Sequence, residues 1–237
     1  MSRGNRVAIM QPYFLPYLGY WQLMDCVDKF VIYDDIQFTK KGWIHRNRYF
    51  NNGCDQMFTL PLKKDSDYLD IVERELSDSW DKEQLKLVRK IEGAYKKSPY
   101  FKEGIDIVHE CLSFDNKNLF EFILNSIKLV RKRLGIETEL ITSSEVGHTK
   151  DLIGEDRVIA VCKRLQATEY VNPIGGKNLY SKERFGEEGI DLKFHKIHDL
   201  KYDQMNCDFL PNLSILDVLM FTGIDGAKRE LKNFEIQ

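Results

Sequence analysis

Between residues 34 and 50 the chain reads DDIQFTKKGWIHRNRYF. Two carboxylates, Asp34 and Asp35, precede Lys40, Lys41, His45, Arg46 and Arg48, with the indole of Trp43 and the amide of Asn47 set among them. So dense a cationic segment is a candidate phosphate grip. Guanidinium groups hold phosphate through two parallel hydrogen bonds, and an indole face stacks on a base or sugar ring. An imidazole ordinarily titrates near neutrality, so His45 is a candidate general base, with Asp35 as a second. Asp34 and Asp35 are equally suited to a substrate amine, a magnesium ion or the Arg46 guanidinium. A solvated basic loop is the plain alternative.

A second segment, QPYFLPYLGY, spans residues 11–20. Gln11, Tyr13, Tyr17 and Tyr20 offer hydrogen-bonding groups, and Phe14 and Trp21 offer flat faces. Gly19 permits close approach of a ligand or backbone, and a helix starting there favours an anion. The spacing of Tyr17, Gly19 and Tyr20 matches the H-x-G-H turn of nucleotidyltransferases and class I aminoacyl-tRNA synthetases, with tyrosine at both histidine positions. A phenol with a pKa of ~10 is neutral at pH 7, so it donates a hydrogen bond but brings no positive charge. On this reading Tyr20 is a candidate catalytic group and ATP with magnesium a candidate cofactor; a tyrosine-rich turn that only packs is the alternative.

Two further segments have polar reach. NPIGGKNLY sets Asn172, Gly175, Gly176, Lys177 and Tyr180 where a backbone nest for an anion, or an ordinary turn, would form. FHKIHDLKYDQ supplies His195, His198, Tyr202 and Gln204. The two histidines lack a third ligand at suitable spacing, so no metal is expected. No G-x-S-x-G and no local signature of a catalytic thiol is present, so no covalent nucleophile is expected.

The elements that would carry these groups follow from apolar patterning. RVAIM and KFVIYDD are continuous apolar runs, the mark of strands covered on both faces, and a helix starting near Leu18 separates them. QMFTLPL and YLDIVERE read as further strands or extended pieces. Three helices follow, in 77–98, 100–113 and 118–135, the last stopped by Gly135. TELITSSE, TEYVNP and IDLKFHKI read as strands, GEDRVIAVCKRLQA, ERFGEEG and LSILDVLMFTG as helices, and IGGKNLY as a loop. The pattern predicts one α/β domain over 1–237: a parallel or mixed sheet of Rossmann-like βαβ units with a helix-rich insertion at about 79–135. In such sheets ligands bind beyond the carboxyl ends of the strands, where three of the polar segments fall.

The totals narrow the function. Lys plus Arg number 35 and Asp plus Glu 37 in 237 residues, so there is no global basic field and no DNA partner is expected. Five cysteines without C-x-x-C spacing suit reduced thiols rather than a disulfide framework or zinc site. The N-terminus has no signal-peptide pattern and no run approaches the ~18 apolar residues of a membrane span, so a cytoplasmic location without membrane insertion is expected.

MQPYFLPYLGYWQL, DKFVIYDDIQFTKKGWIHRNR, TEYVNPIGGKNLY and LSILDVLMFTG, in this order, resemble the WbqC-like protein family over nearly the whole chain. The family more often reads GWINRNR in the second block, where His45 stands here. The resemblance implies a bacterial cytoplasmic protein of surface-polysaccharide (O-antigen, lipopolysaccharide) biosynthesis, with members sometimes labelled glycine transferases. The expected activity is transfer of an aminoacyl (glycyl) or acyl group to the amine of a nucleotide-linked amino sugar. The donor would be an activated amino acid or acyl group, whether free, carrier-bound or tRNA-bound. The other readings are an ATP-dependent nucleotidyltransferase-like or ligase-like enzyme and a non-catalytic sugar-nucleotide binding protein.

Overall fold

A computed structural model describes residues 5–147 and 149–237. Its centre is a six-stranded sheet built from β1 (Arg6–Met10), β2 (Lys29–Ile32), β5 (Glu139–Thr142), β6 (Glu169–Pro173), β7 (Asp191–Ile197) and β8 (Phe234–Ile236). The spatial order is β5-β2-β1-β6-β7-β8. The first five are parallel and β8 closes the far edge antiparallel to β7. The order reverses between β1 and β6, which makes their carboxyl ends the topological switch point of a doubly wound sheet.

The strands read as continuous apolar runs because both faces are covered. Successive side chains alternate between faces. Val7 and Ile9 pack with Val158, Ile159 and Val161 of α6 (Gly154–Arg164) and with Phe185 of α7 (Lys182–Glu187). Ala8 faces the larger core on the opposite side, with α1 (Leu18–Asp25) and α8 (Ile215–Glu230). The same core takes in the expected helices α2 (Trp80–Tyr95), α3 (Phe101–Leu112) and α4 (Leu119–Leu134), the last ended by Gly135 at φ +70°. A short α5 (Ser143–Val146) follows β5 directly.

Several segments depart from the sequence reading. RNRYFN, taken as part of a basic loop, is β3 (Arg46–Asn51), paired antiparallel with β4 (Cys54–Thr59) through a turn whose Asn52 and Gly53 both have positive φ. Two positive φ values suit the twist of a tight hairpin. YLDIVERE forms the 3₁₀ turn Ile71–Glu73 between isolated β-bridges at Asp70 and Glu75, with Asp70 N donating to the Glu73 carboxylate at 2.8 Å. IGGKNLY is also 3₁₀, and the last helix continues to Glu230 across a break at Gly223.

The hairpin matters because it holds the turn after β1. Leu15 has φ +47°, a conformation that costs energy for a residue with a Cβ. Its carbonyl accepts from Asn47 Nδ2 at 2.8 Å and from Ser214 Oγ at 2.7 Å. Beside it, Phe14 N donates to Ile44 O, Ser214 N to Arg48 O and Ile215 N to Pro16 O, each at 2.9 Å. Turn, hairpin and the start of α8 are thus bolted at one point. Ser214→Ala should lower unfolding free energy by about 1–3 kcal/mol, since a buried carbonyl loses a donor and α8 loses its cap. Urea denaturation checks this; an unchanged midpoint would contradict it.

Candidate functional site

A cleft opens where this knot meets the carboxyl ends of β1 and β7. Its narrow lobe, of about 300 Å³, is lined by Tyr13, Tyr17, Trp43, Asn47, Arg48 and Asn212, with Pro16 and Ile197 at its sides. Its wide lobe, of about 570 Å³, shares Tyr17, Ile197 and Asn212 and adds His198, Asp199, Lys201, Tyr202 and Phe209. The sequence reading named most of the narrow lobe. It missed Asn212, Asp199, Lys201 and Phe209, whose loop carries no repeated pattern; the one signal was PNLS ahead of an apolar helix.

Each narrow-lobe side chain has a reason for its place. Tyr17 precedes α1, and its ring folds back over Gly19, where a Cβ would lie 2.4 Å from the ring. Gly19 therefore makes room for Tyr17, not for a ligand. Tyr13 and Tyr17 are largely buried, which holds both phenols above their usual pKa and therefore neutral. Trp43 is 42% exposed. The guanidiniums of Arg46 and Arg48, two apart on β3, each lie 5.8 Å from its ring centre. Arg46 is committed to its own loop, donating from Nε to Gly42 O at 2.9 Å and from Nη2 to Lys41 O. Arg48 donates to Asp55 at 3.1 Å and to Asn212 O at 3.4 Å, and its buried Nε has no partner.

Other expected groups lie elsewhere. Tyr20 is 1% exposed, its hydroxyl donated to Gln11 O at 3.2 Å and its ring against Tyr13, Trp21 and Phe30. It therefore sits in the core, and Tyr17 and Tyr20 do not converge on one ligand position as an H-x-G-H turn would. Gln11 serves this wall too, since its side chain takes the Tyr13 hydroxyl at 3.5 Å. His45 points into a different cavity, beside Phe38 and Arg74. Burial, then the charges of Arg46 and Arg74, lower its pKa to about 4. Asn47 is spent on the Leu15 knot while one edge faces the cleft.

The paired aspartates are already partnered. Asp34 accepts from Ser143 Oγ at 2.7 Å, Ser144 N at 3.0 Å and Ser144 Oγ at 2.5 Å. Asp35 accepts from Arg157 Nη2 at 2.5 Å and is also within reach of the Ser143 hydroxyl. The carboxylates thus clip the end of β2 to α5 and α6. The cation that Asp35 meets is Arg157, not Arg46.

Asn172 at the end of β6 is buried and accepts from Tyr170 at 3.1 Å. A Cβ on Gly176 would lie 2.1 Å from its amide, so Gly176 leaves room for that side chain. Gly175 has open space around it, Lys177 is exposed, and Tyr180 packs edge-on to Tyr170. In the wide lobe, the ring of His198 lies 3.2 Å from Asn233 Oδ1. Asp217, fully buried, accepts from Tyr95 at 2.8 Å, Tyr202 at 2.5 Å and Gln204 at 2.7 Å. Tyr202 thus joins this network while facing the cleft, whereas Gln204 is buried and shapes the loop. Burial raises the Asp217 carboxyl, and the three donors pull it back. Among the described residues no group of three His, Cys, Asp or Glu could hold a metal, and no helix is long and apolar enough to cross a membrane.

Fold and site together define a mixed α/β protein with a cleft at the carboxyl ends of a mostly parallel sheet. The chain belongs to the WbqC-like protein family, whose model matches residues 11–229. It is 29% identical over 232 residues to the uncharacterized protein Rv1507c of Mycobacterium tuberculosis, a match covering 93% of this chain and 95% of that one. No solved structure matches the chain significantly.

The depressed His45 pKa has a consequence for stability. Between pH 6.5 and 4 the unfolded chain binds more protons at this residue than the folded one, so its contribution is present above 6.5 and lost as pH falls toward 4. His195, buried with its pKa also lowered to about 4, acts in the same direction. In His45→Gln the melting temperature should fall less steeply over this window than in the parent. Parallel curves, or a His45 titration near 6.5 by NMR, would contradict the assignment.

Proposed function

We propose that this protein binds a nucleotide-linked amino sugar in the cleft and transfers an acyl or aminoacyl group, glycyl in the simplest case, to the sugar amine. The observation that carries the reading is Arg48 beside the half-exposed ring of Trp43 in the lining of the narrow lobe. A guanidinium suits the diphosphate, and the Trp43 and Tyr17 rings suit a base or sugar. The wide lobe then receives the amino sugar, with Asp199 to draw in its ammonium group and His198 to take its proton.

The amine nitrogen attacks the carbonyl carbon of the activated donor and an amide bond forms. One proton of the ammonium passes to the imidazole of His198, and the leaving group departs with its electron pair and the second proton. His198 replaces His45, Asp35 and Tyr20 as the proposed base because it alone of these faces the cleft. The donor arrives already activated, free or on a carrier or tRNA. ATP with magnesium would serve its activation outside this cleft, since the buried Tyr20 gives no support to adenylyl transfer here. The setting we propose is cytoplasmic assembly of a surface polysaccharide such as O-antigen. The absence of a serine, threonine or cysteine from the cleft lining favours one second reading, a sugar-nucleotide binding protein without turnover.

By calorimetry, Arg48→Ala should weaken binding of a nucleoside diphosphate-linked amino sugar about 10- to 100-fold, some 1.5–3 kcal/mol. An unchanged Kd would remove the narrow lobe from the site. His198→Asn should leave Kd within a factor of about two and lower kcat at least tenfold, read as amide product by mass spectrometry. Binding without product from thioester, adenylate and aminoacyl-tRNA donors would leave the binding-protein reading.

A further inference from the structure

A second cavity, of about 310 Å³, shares no lining residue with the cleft. Phe38, His45 and Arg74 form its inner wall, and Lys40, Lys63 and Lys64 stand at its rim. His45 is only 9% exposed, and its Nδ1 is buried with no hydrogen-bond partner. Arg74 is 3% exposed and gives Nη1 to Ser66 O at 2.7 Å and Nη2 to Lys63 O at 3.2 Å, which leaves its Nε buried and unpartnered. The Phe38 ring lies 5.0 Å from both the His45 ring and the Arg74 guanidinium. Two unsatisfied buried nitrogens on one cavity are expensive, because each forgoes the hydrogen bonds that water or a partner would supply.

We propose that this cavity is a separate binding site for a small phosphomonoester. The cations around it are Lys40, Lys63, Lys64 and Arg74, with Arg46 beside His45, and the carboxylates are Asp65 in the lining with Asp67, Glu75 and Asp78 just outside. Lys40 pairs with Asp67 at 2.6 Å and Lys63 with Glu75 at 3.1 Å. Lys64 makes no ion pair within 4 Å among the described residues, so with Asp65 set against Arg74 it carries the excess positive charge that an anion would meet. The volume lies at the low end for ligand pockets, which suits a phosphorylated monosaccharide-sized body better than a nucleotide. The imidazole is neutral at pH 7, so it would meet an anion as a hydrogen-bonding group and not as a charge.

The test follows histidine ring signals by NMR in the intact protein during titration with inorganic phosphate and with a hexosamine phosphate, at constant ionic strength. The His45 signal should move saturably, and Lys64→Ala should weaken the response at least fivefold whereas Arg48→Ala leaves it unchanged. Lys64 is exposed, so its replacement does not endanger folding; His45→Asn, followed by calorimetry with the same ligands, is the second variant and should also bind at least fivefold more weakly. No saturable His45 shift, an equal shift with chloride, tighter binding of malonate than of phosphate, or full affinity in both variants would overturn the proposal. Because Arg48 and Lys64 line different cavities, failure here and failure of the transferase reading are told apart.

Discussion

The site depends on one carbonyl. Leu15 is held at positive φ, and its oxygen is shared by Asn47 of the hairpin and Ser214 at the head of the last helix. The two donors and the acceptor come from three parts of the chain that are far apart in sequence. Their convergence offsets the backbone strain and fixes the direction in which Tyr13 and Tyr17 leave the turn. It also sets β3 beside the turn, so that Arg48 and Trp43 face the tyrosines across a gap rather than filling it. A cleft built on a knot of this kind is preorganised, and less ordering cost falls on ligand binding.

A second constraint shapes the wide lobe. The loop from His198 to Leu213 has little regular structure of its own. It is held by the carboxylate of Asp217, whose three partners come from α2 and from the loop itself. Gln204 then fixes Leu210 through both its N–H and its carbonyl. A buried carboxylate with every partner in place keeps the loop in one shape. The ion-paired Asp35 does comparable work on the opposite flank, tying β2 to α6 through Arg157. Carboxylates that look like reagents in the sequence are here the fasteners of the cleft's surroundings.

Much of the frame was legible in the sequence because it rests on local signals. Unbroken apolar runs marked β1 and β2, helical spacing marked α2 to α4, and Gly135 marked a stop. Strand order was not legible, since it is decided by pairings between distant segments. The hairpin was hidden for a different reason. RNRYFN does alternate, but its outward positions are arginines and its inward ones begin with an amide, so no apolar period shows, although Asn52-Gly53 was a turn signal. The site residues followed the same logic. Neighbours along an extended backbone point to opposite sides, which sends His45 away from the arginine after it, while Trp43 lies in the bend before the strand and outside that alternation. Tyr17 and Tyr20, expected together in an H-x-G-H-like turn, part company because Tyr17 lies outside the helix with its ring folded over Gly19.

The most direct measurement is the structure of the protein in complex with a nucleoside diphosphate-linked amino sugar. The account places the diphosphate against Arg48, a flat ring over Trp43 or Tyr17, and the sugar amine within reach of His198. A ligand whose diphosphate lies instead on the Gly175-Gly176-Lys177 loop beyond β6, with Trp43 and Arg48 untouched, would contradict it.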